Sequence, residues 1–185
     1  HLLSRRQRQM CIRDRHKVAI NMEQKYIYSF SQIEDKVKAL HETNTEAAAA
    51  VALSWLGLSR DELKTLRVSD YNSTMRMLHS AGRVVYVRED LIADMLKTIC
   101  EEAPEYSMGL FITDVNSAYE AAEKQELSPI SVLKMRYFYE KHSAKLSGEP
   151  EDRVFLKEIL RSVGESEADM EKQFAEYEKD APEKI

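Results

Sequence analysis

Cysteine, glycine, proline and tryptophan are all scarce in this chain. Its 185 residues include two Cys, five Gly, four Pro and one Trp. So few thiols supply neither a disulfide framework nor a thiolate metal cluster, and one of the two, Cys11, lies in a segment set aside below, leaving Cys100. No Gly-rich phosphate loop and no G-x-S-x-G elbow is present. His16, His41, His79 and His142 are widely separated, with no pair at metal-ligand spacing. Neither a metal nor a cofactor is therefore expected. No apolar run approaches the ~20 residues that cross a bilayer, and no signal-peptide pattern is visible. The expectation is a cytoplasmic protein without a membrane partner.

A basic excess is missing too. The formal net charge is −5, and residues 147–185 alone hold twelve Asp and Glu against six Lys and Arg. Non-specific nucleic-acid binding comes mostly from Lys and Arg neutralising phosphates, so any such binding must come from local patches. Residues 5–14, RRQRQMCIRD, are what one frame of CGTCGGCAGCGTCAGATGTGTATAAGAGAC encodes, and that DNA resembles the transposon-end adapter of sequencing libraries. Residues 1–15 are accordingly read as a scar outside the fold, and 16–28 as a linker or truncated upstream region. Without the four Arg and one Asp of residues 1–14 the charge becomes −8.

The remainder suits one domain with a proper core, expected over residues 29–180 with a tail at 181–185. Helix starts are well marked. Ser31 with Glu34, Thr43 with Glu46 and Ser59 with Glu62 each have the capping-box form, hydroxyl and carboxylate satisfying orphan N–H groups. The second pair opens an Ala-rich helix over 45–56, suited to a buried central position, and Gly57 ends it in a left-handed conformation. The pattern then turns to β: residues 74–78 and 83–87, separated by Ser80, Ala81 and Gly82, form a hairpin signal. Ile92, Met95, Leu96 and Ile99 recur at helical spacing before Pro104. Asp114 caps a helix through Gln125, and Ser128 with Pro129 starts another that runs to Leu146. Two last helices cover 151–163 and 167–179, with Gly164 between them and Ser166 as a cap. The fold class is mainly α with a small β-hairpin or sheet.

The stretch from Trp55 to Tyr71, WLGLSRDELKTLRVSDY, resembles the region of the first catalytic arginine in tyrosine recombinases (phage integrases), where the pattern runs roughly G-L-R-x-x-E-L-x-x-L-x-x-x-D. Gly57, Glu62, Leu63, Leu66 and Asp70 fall in place, while the arginine position holds Ser59. The order of elements over 29–180 is also similar to that family's catalytic domain. The resemblance implies an α+β catalytic-domain fold in which two arginines, a hairpin lysine and two histidine-type groups surround a phosphate that a tyrosine attacks. At the second motif, H-x-x-R, this chain has Leu133 and Arg136. At the third, a Leu-Gly-His corner, it has Val163, Gly164 and Glu165. The nucleophile position falls on Phe174, with Tyr177 one helical turn later. Arg76 and Arg83 are the basic residues near the hairpin-lysine position. On this alignment Ser59, Arg136 and Glu165 should line one pocket.

Only Arg136 keeps its family role, which implies that strand exchange does not occur. The chain is similar to the recombinase-fold master repressors of some temperate phages, so the implied function is a regulator in a bacterial host that binds double-stranded DNA without cutting it, with self-association or a phage regulatory partner. Candidate DNA contacts are Arg60, Lys64, Arg76, Arg83, Lys134, Arg136 and Lys141, most of them suited to phosphate and not to base edges. Two alternatives stay open. One is an active recombinase whose nucleophile has shifted to Tyr177. The other is a helical protein–protein module that has abandoned DNA, as the acidic charge allows.

Overall fold

The computed structural model describes residues 29–103, 108–142 and 153–180. The scar at 1–15, the linker at 16–28, Pro104, the helix end at Leu146, the 181–185 tail and the side chain of Tyr177 lie outside the described residues. A 3₁₀ turn at Phe30–Gln32 leads into α1 (Glu34–Thr43) and α2 (Thr45–Trp55). The short α3 (Arg60–Thr65) and a second 3₁₀ turn (Val68–Asp70) precede β1 (Tyr71–Asn72), β2 (Met77–Ser80) and β3 (Arg83–Tyr86). Then come α4 (Asp90–Glu102), α5 (Val115–Lys124), α6 (Pro129–Lys141), α7 (Arg153–Val163) and α8 (Glu167–Asp180). The architecture is mainly helical with a three-stranded antiparallel sheet in the order β1-β2-β3. No helix among the described residues is long and apolar enough to cross a membrane.

Helix α2 is the centre of the core. Every residue from Ala47 to Leu58 is buried, and α1, α4, α5 and α6 all pack on it. A run of four alanines lets those neighbours approach closely on every side, which a longer side chain would prevent. Its end is a Schellman motif: Leu58 N–H donates to Leu53 O at 3.0 Å and Gly57 N–H to Ser54 O at 2.9 Å. Gly57 has φ +88°, and a Cβ there would meet the Phe155 ring at 1.6 Å. Glycine is required twice over, for the backbone and for the space.

Three local expectations are corrected. Ser31 and Glu34 form no box. The chain enters α1 through the 3₁₀ turn, which buries Phe30 and Ile33, and the N–H of Ser29 donates to Gln32 Oε1 instead, at 3.1 Å. Asn44, not Thr43, caps α2, its Oδ1 accepting from Ala47 N at 3.0 Å. Thr43 is still in α1, where its hydroxyl donates to Leu40 O at 3.1 Å. Glu46 is drawn away from its own helix start to the loop before α5, accepting from Thr113 N at 3.0 Å and Thr113 Oγ1 at 2.6 Å.

The hairpin is shifted relative to the expectation. Residues 73–75 turn back instead of pairing, held by Asn72 Oδ1 accepting from Met75 N at 3.0 Å and by Arg76 at φ +52°, while Arg76 O still accepts from Val87 N at 2.9 Å. This turn adds β1 as a third strand. Ala81 and Gly82, at φ +48° and +76°, close β2 to β3 as a two-residue hairpin loop of the kind whose twist suits paired strands.

Gly57→Ala should destabilise the fold by about 3 kcal/mol, combining left-handed strain with overpacking. Urea denaturation should also show that adding Phe155→Leu recovers part of that loss. A neutral Gly57→Ala would mean that the ring does not rest on this backbone.

Candidate functional site

The carboxylate of Glu62 is the hub of the region where the resemblance places a phosphate. Ser59 and Glu62 form the expected capping box: Glu62 N–H donates to Ser59 Oγ at 3.2 Å and Ser59 N–H to Glu62 Oε2 at 2.7 Å. Ser59 is thus a helix cap, with its hydroxyl oriented by backbone. The same carboxylate accepts from Ser80 Oγ at 3.0 Å and from both Nε and Nη2 of Arg83, at 3.2 and 2.8 Å. Arg83 Nη2 also donates to Gly57 O at 3.1 Å. The Arg83 and Glu62 side chains are only 16% and 14% exposed.

Phe155, on α7, fills the centre. Its ring rests on Gly57, with the Arg83 guanidinium 5.1 Å from the ring centroid on one hand and that of Arg136 5.9 Å away on the other. Such cation–π contacts strengthen when desolvated. Arg136 lies 5.2 Å from both the Trp55 and Tyr139 rings. It is ion-paired to Glu140 one turn along α6 and faces Glu89 at 3.8 Å. Glu89 in turn accepts from Trp55 Nε1 at 2.8 Å. Two guanidiniums therefore meet three carboxylates, and a phenyl ring occupies the gap between the cations. Coulomb repulsion from the surplus carboxylate opposes an incoming phosphate, and the ring excludes it sterically.

The structure brings some of the expected positions together and separates others. Ser59, Glu62, Arg83, Phe155 and Arg136 form one continuous chain of contacts. Glu165 does not join it, so the expected single pocket is not formed. Lys134 and Arg136 are two residues apart on α6 and point about 200° away from each other. Glu165 pairs with Lys134 on the far side, and its other oxygen accepts from Gln173 Nε2 at 2.6 Å. Leu133 is a core residue at 3% exposure. Phe174 is equally buried, stacked on the His142 ring at 3.7 Å and packed 5.4 Å from Phe138. Elsewhere, burial raises the phenol pKa of Tyr71, Tyr119 and Tyr137, the reverse of what activates a nucleophile.

The other cations considered for DNA have protein partners as well. Arg60 donates to Asn116 and lies 5.0 Å from the Tyr119 ring centroid. Lys64 pairs with Asp61 at 3.2 Å, Arg76 with Asp90 at 2.7 Å, and Lys141 with Glu167 and Glu171. Lys64 and Arg76 keep half or nearly half of their side-chain surface in solvent. Among the described residues no group of three His, Cys, Asp or Glu side chains could hold a metal ion. Neither the role of Phe155 nor the pairing of Arg83 with Glu62 was visible in the linear pattern. The one available signal was Gly57, whose missing side chain has to be filled by something.

No family model, curated protein or solved structure matches this chain.

Helix α8 docks on α6 through the Phe138–Phe174 contact and the Lys141–Glu167 ion pair, and the corner before it through Lys134 and Glu165. Desolvation acts to raise the Glu165 carboxyl, but hydrogen bonds from Lys134 and Gln173 and the Lys134 charge outweigh it, leaving the pKa below its ordinary value. The hydrogen bond from Lys141 lowers that of Glu167. A folded pKa below the unfolded one means stability that is complete above the unfolded value, about 4.3, and is lost as pH falls through the folded value. Denaturation midpoints should therefore drop below about pH 4.5, and Lys134→Met should flatten that drop. An unchanged acid slope in this variant would remove Glu165 from the account.

Proposed function

We propose that this chain is a tyrosine-recombinase-like protein that binds duplex DNA without cleaving it, acting as a repressor-like regulator of a phage or other mobile element in bacterial cytoplasm. The observation that carries the non-cleaving half is Phe155, seated on Gly57 between Arg83 and Arg136. Phosphoryl transfer needs cations aimed at the oxygens where charge develops, and losing a single such donor costs roughly 10²–10³ in rate. Here two guanidiniums are paired to carboxylates and packed on an aromatic ring. The nitrogens that keep no hydrogen-bond partner, Arg83 Nη1 and Arg136 Nε, are buried away from solvent. The aligned nucleophile position holds Phe174 in the core. A nucleophile shifted to Tyr177 would meet the same filled clamp.

For DNA contact the geometry favours the cations at the surface. Arg60, Lys64 and Arg76 have exposed or half-exposed pairings, and such pairs exchange for phosphate at small cost. Arg83, Lys134, Arg136 and Lys141 keep about a fifth or less of their side-chain surface exposed, and they act first as structural ion pairs. A second reading, a helical protein–protein module, is favoured by the internal partner that each of the seven candidate cations has.

One set of assays separates these readings. Incubation with a nicked suicide substrate should yield no covalent protein–DNA adduct, and Tyr177→Phe should change nothing. An adduct that disappears in Tyr177→Phe would establish the active recombinase. Mobility shifts with random duplex at low salt should show weak binding with a shallow salt slope, about two to three phosphates' worth. No shift even at low salt would favour the protein–protein module.

A further inference from the structure

Helix α8 is held on the fold by few apolar side chains. Among its described side chains only Met170 and Phe174 are buried, which leaves polar contacts with α6 to complete the docking. An element with so few buried apolar contacts opens locally at low cost. His142 stands where those contacts converge. It is the C-terminal cap of α6, its side chain is 11% exposed, and its Nε2 lies 3.4 Å from Glu171 Oε1 on α8. Its ring lies flat on that of Phe174, with centroids 3.7 Å apart and planes within 4°.

Three features of this corner favour an imidazolium over a neutral imidazole. Neutral aromatic rings prefer offset or edge-on arrangements to a parallel sandwich, whereas a cation gains from lying over a π-face. The carbonyl end of a helix, where His142 sits, attracts positive charge. The local charges also call for one more proton. Glu167 and Glu171 face the corner from α8 and Lys141 from α6, leaving one negative charge in excess. Glu171 Oε1 is buried, accepts no hydrogen bond, and lies 3.4 Å from both Lys141 Nζ and His142 Nε2. The other charged groups of these helices are engaged or turned away. Glu140 pairs with Arg136 and Lys134 with Glu165, while α7 and α8 turn Lys157, Glu158, Arg161 and Lys172 to solvent. The Tyr137 phenol, whose pKa burial raises, stays neutral.

We propose that His142 is a proton-operated latch for helix α8. Protonated, its Nε2–H donates to Glu171 and completes a neutral cluster of two carboxylates and two cations. Neutral, it leaves Glu171 to Lys141 alone, and α8 is held less tightly. An imidazole that gains such an acceptor on folding holds its proton more firmly in the folded state. Its contribution is therefore complete below the unfolded value, about 6.5, and fades as pH rises past the folded one. The latch closes in mildly acidic solution and loosens in mildly alkaline solution, a window separate from the acid loss set by Glu165 and Glu167. It stands whether or not the chain binds DNA.

Hydrogen-exchange mass spectrometry of the full chain at about pH 5.5 and about pH 8, with rates corrected for intrinsic exchange, tests this. Relative to those of α2, the α8 amides should be about fivefold better protected at the lower pH, the scale set by a partly buried cation at a helix C-terminus. His142→Phe keeps the stacked ring but takes up no proton, and Glu171→Gln keeps the histidine but removes its acceptor charge. Each variant should show nearly the same α8 protection at the two pH values. Equal wild-type protection at both, or a pH difference that survives undiminished in either variant, overturns the latch.

Discussion

The Glu62 carboxylate holds together pieces of chain that have little else in common. It satisfies the start of α3 through Ser59, anchors the hairpin through Ser80, and fixes the Arg83 guanidinium with two donors. With Arg83 so fixed, one surface for the Phe155 ring is set. The bare backbone of Gly57 provides the second, and Arg136 the third. Helix α7 takes its position from this socket. Buried ion pairs of this kind add little net stability over apolar packing, yet removing one partner is costly because it strands the other. Their worth here is geometric, since they specify where the ring must go.

That same arrangement decides the chemistry. A guanidinium can stabilise a phosphate only when its donors are free to turn to it. Both arginines of this region have carboxylate partners, and the gap between them holds a hydrocarbon. The local balance of two cations against three carboxylates makes the region a poor host for any anion. Packing and phosphate binding compete for the same residues, and in this chain packing holds them.

Helix α6 shows how one element serves two neighbours. Lys134, Phe138 and Lys141 lie on the side that receives α8, where they meet Glu165, Phe174 and Glu167. Arg136 lies on the side that meets Trp55 and Phe155. A linear motif treats Leu133, Lys134 and Arg136 as one string, although helical geometry sends them in three directions. Alignment of Glu165 with Arg136 in one pocket fails for that reason.

Much of the fold was legible along the chain. The Ala-rich central helix, the Gly57 stop, the Ser59–Glu62 box and the Asp114 and Ser128 caps all rest on interactions between residues one to five apart, which a linear string contains in full. The same holds for the amphipathic spacing of Ile92, Met95, Leu96 and Ile99. The misses were long-range in origin. Glu46 leaves its own helix for Thr113, Glu62 turns to Arg83 on the hairpin, and Phe155 comes from about a hundred residues downstream to fill the space beside Gly57. Local hydrogen-bonding geometry thus determined which segments become helices and where they end. Tertiary packing alone decided which charges remain available, because a cation's partner is set by proximity in space, which residue order does not encode.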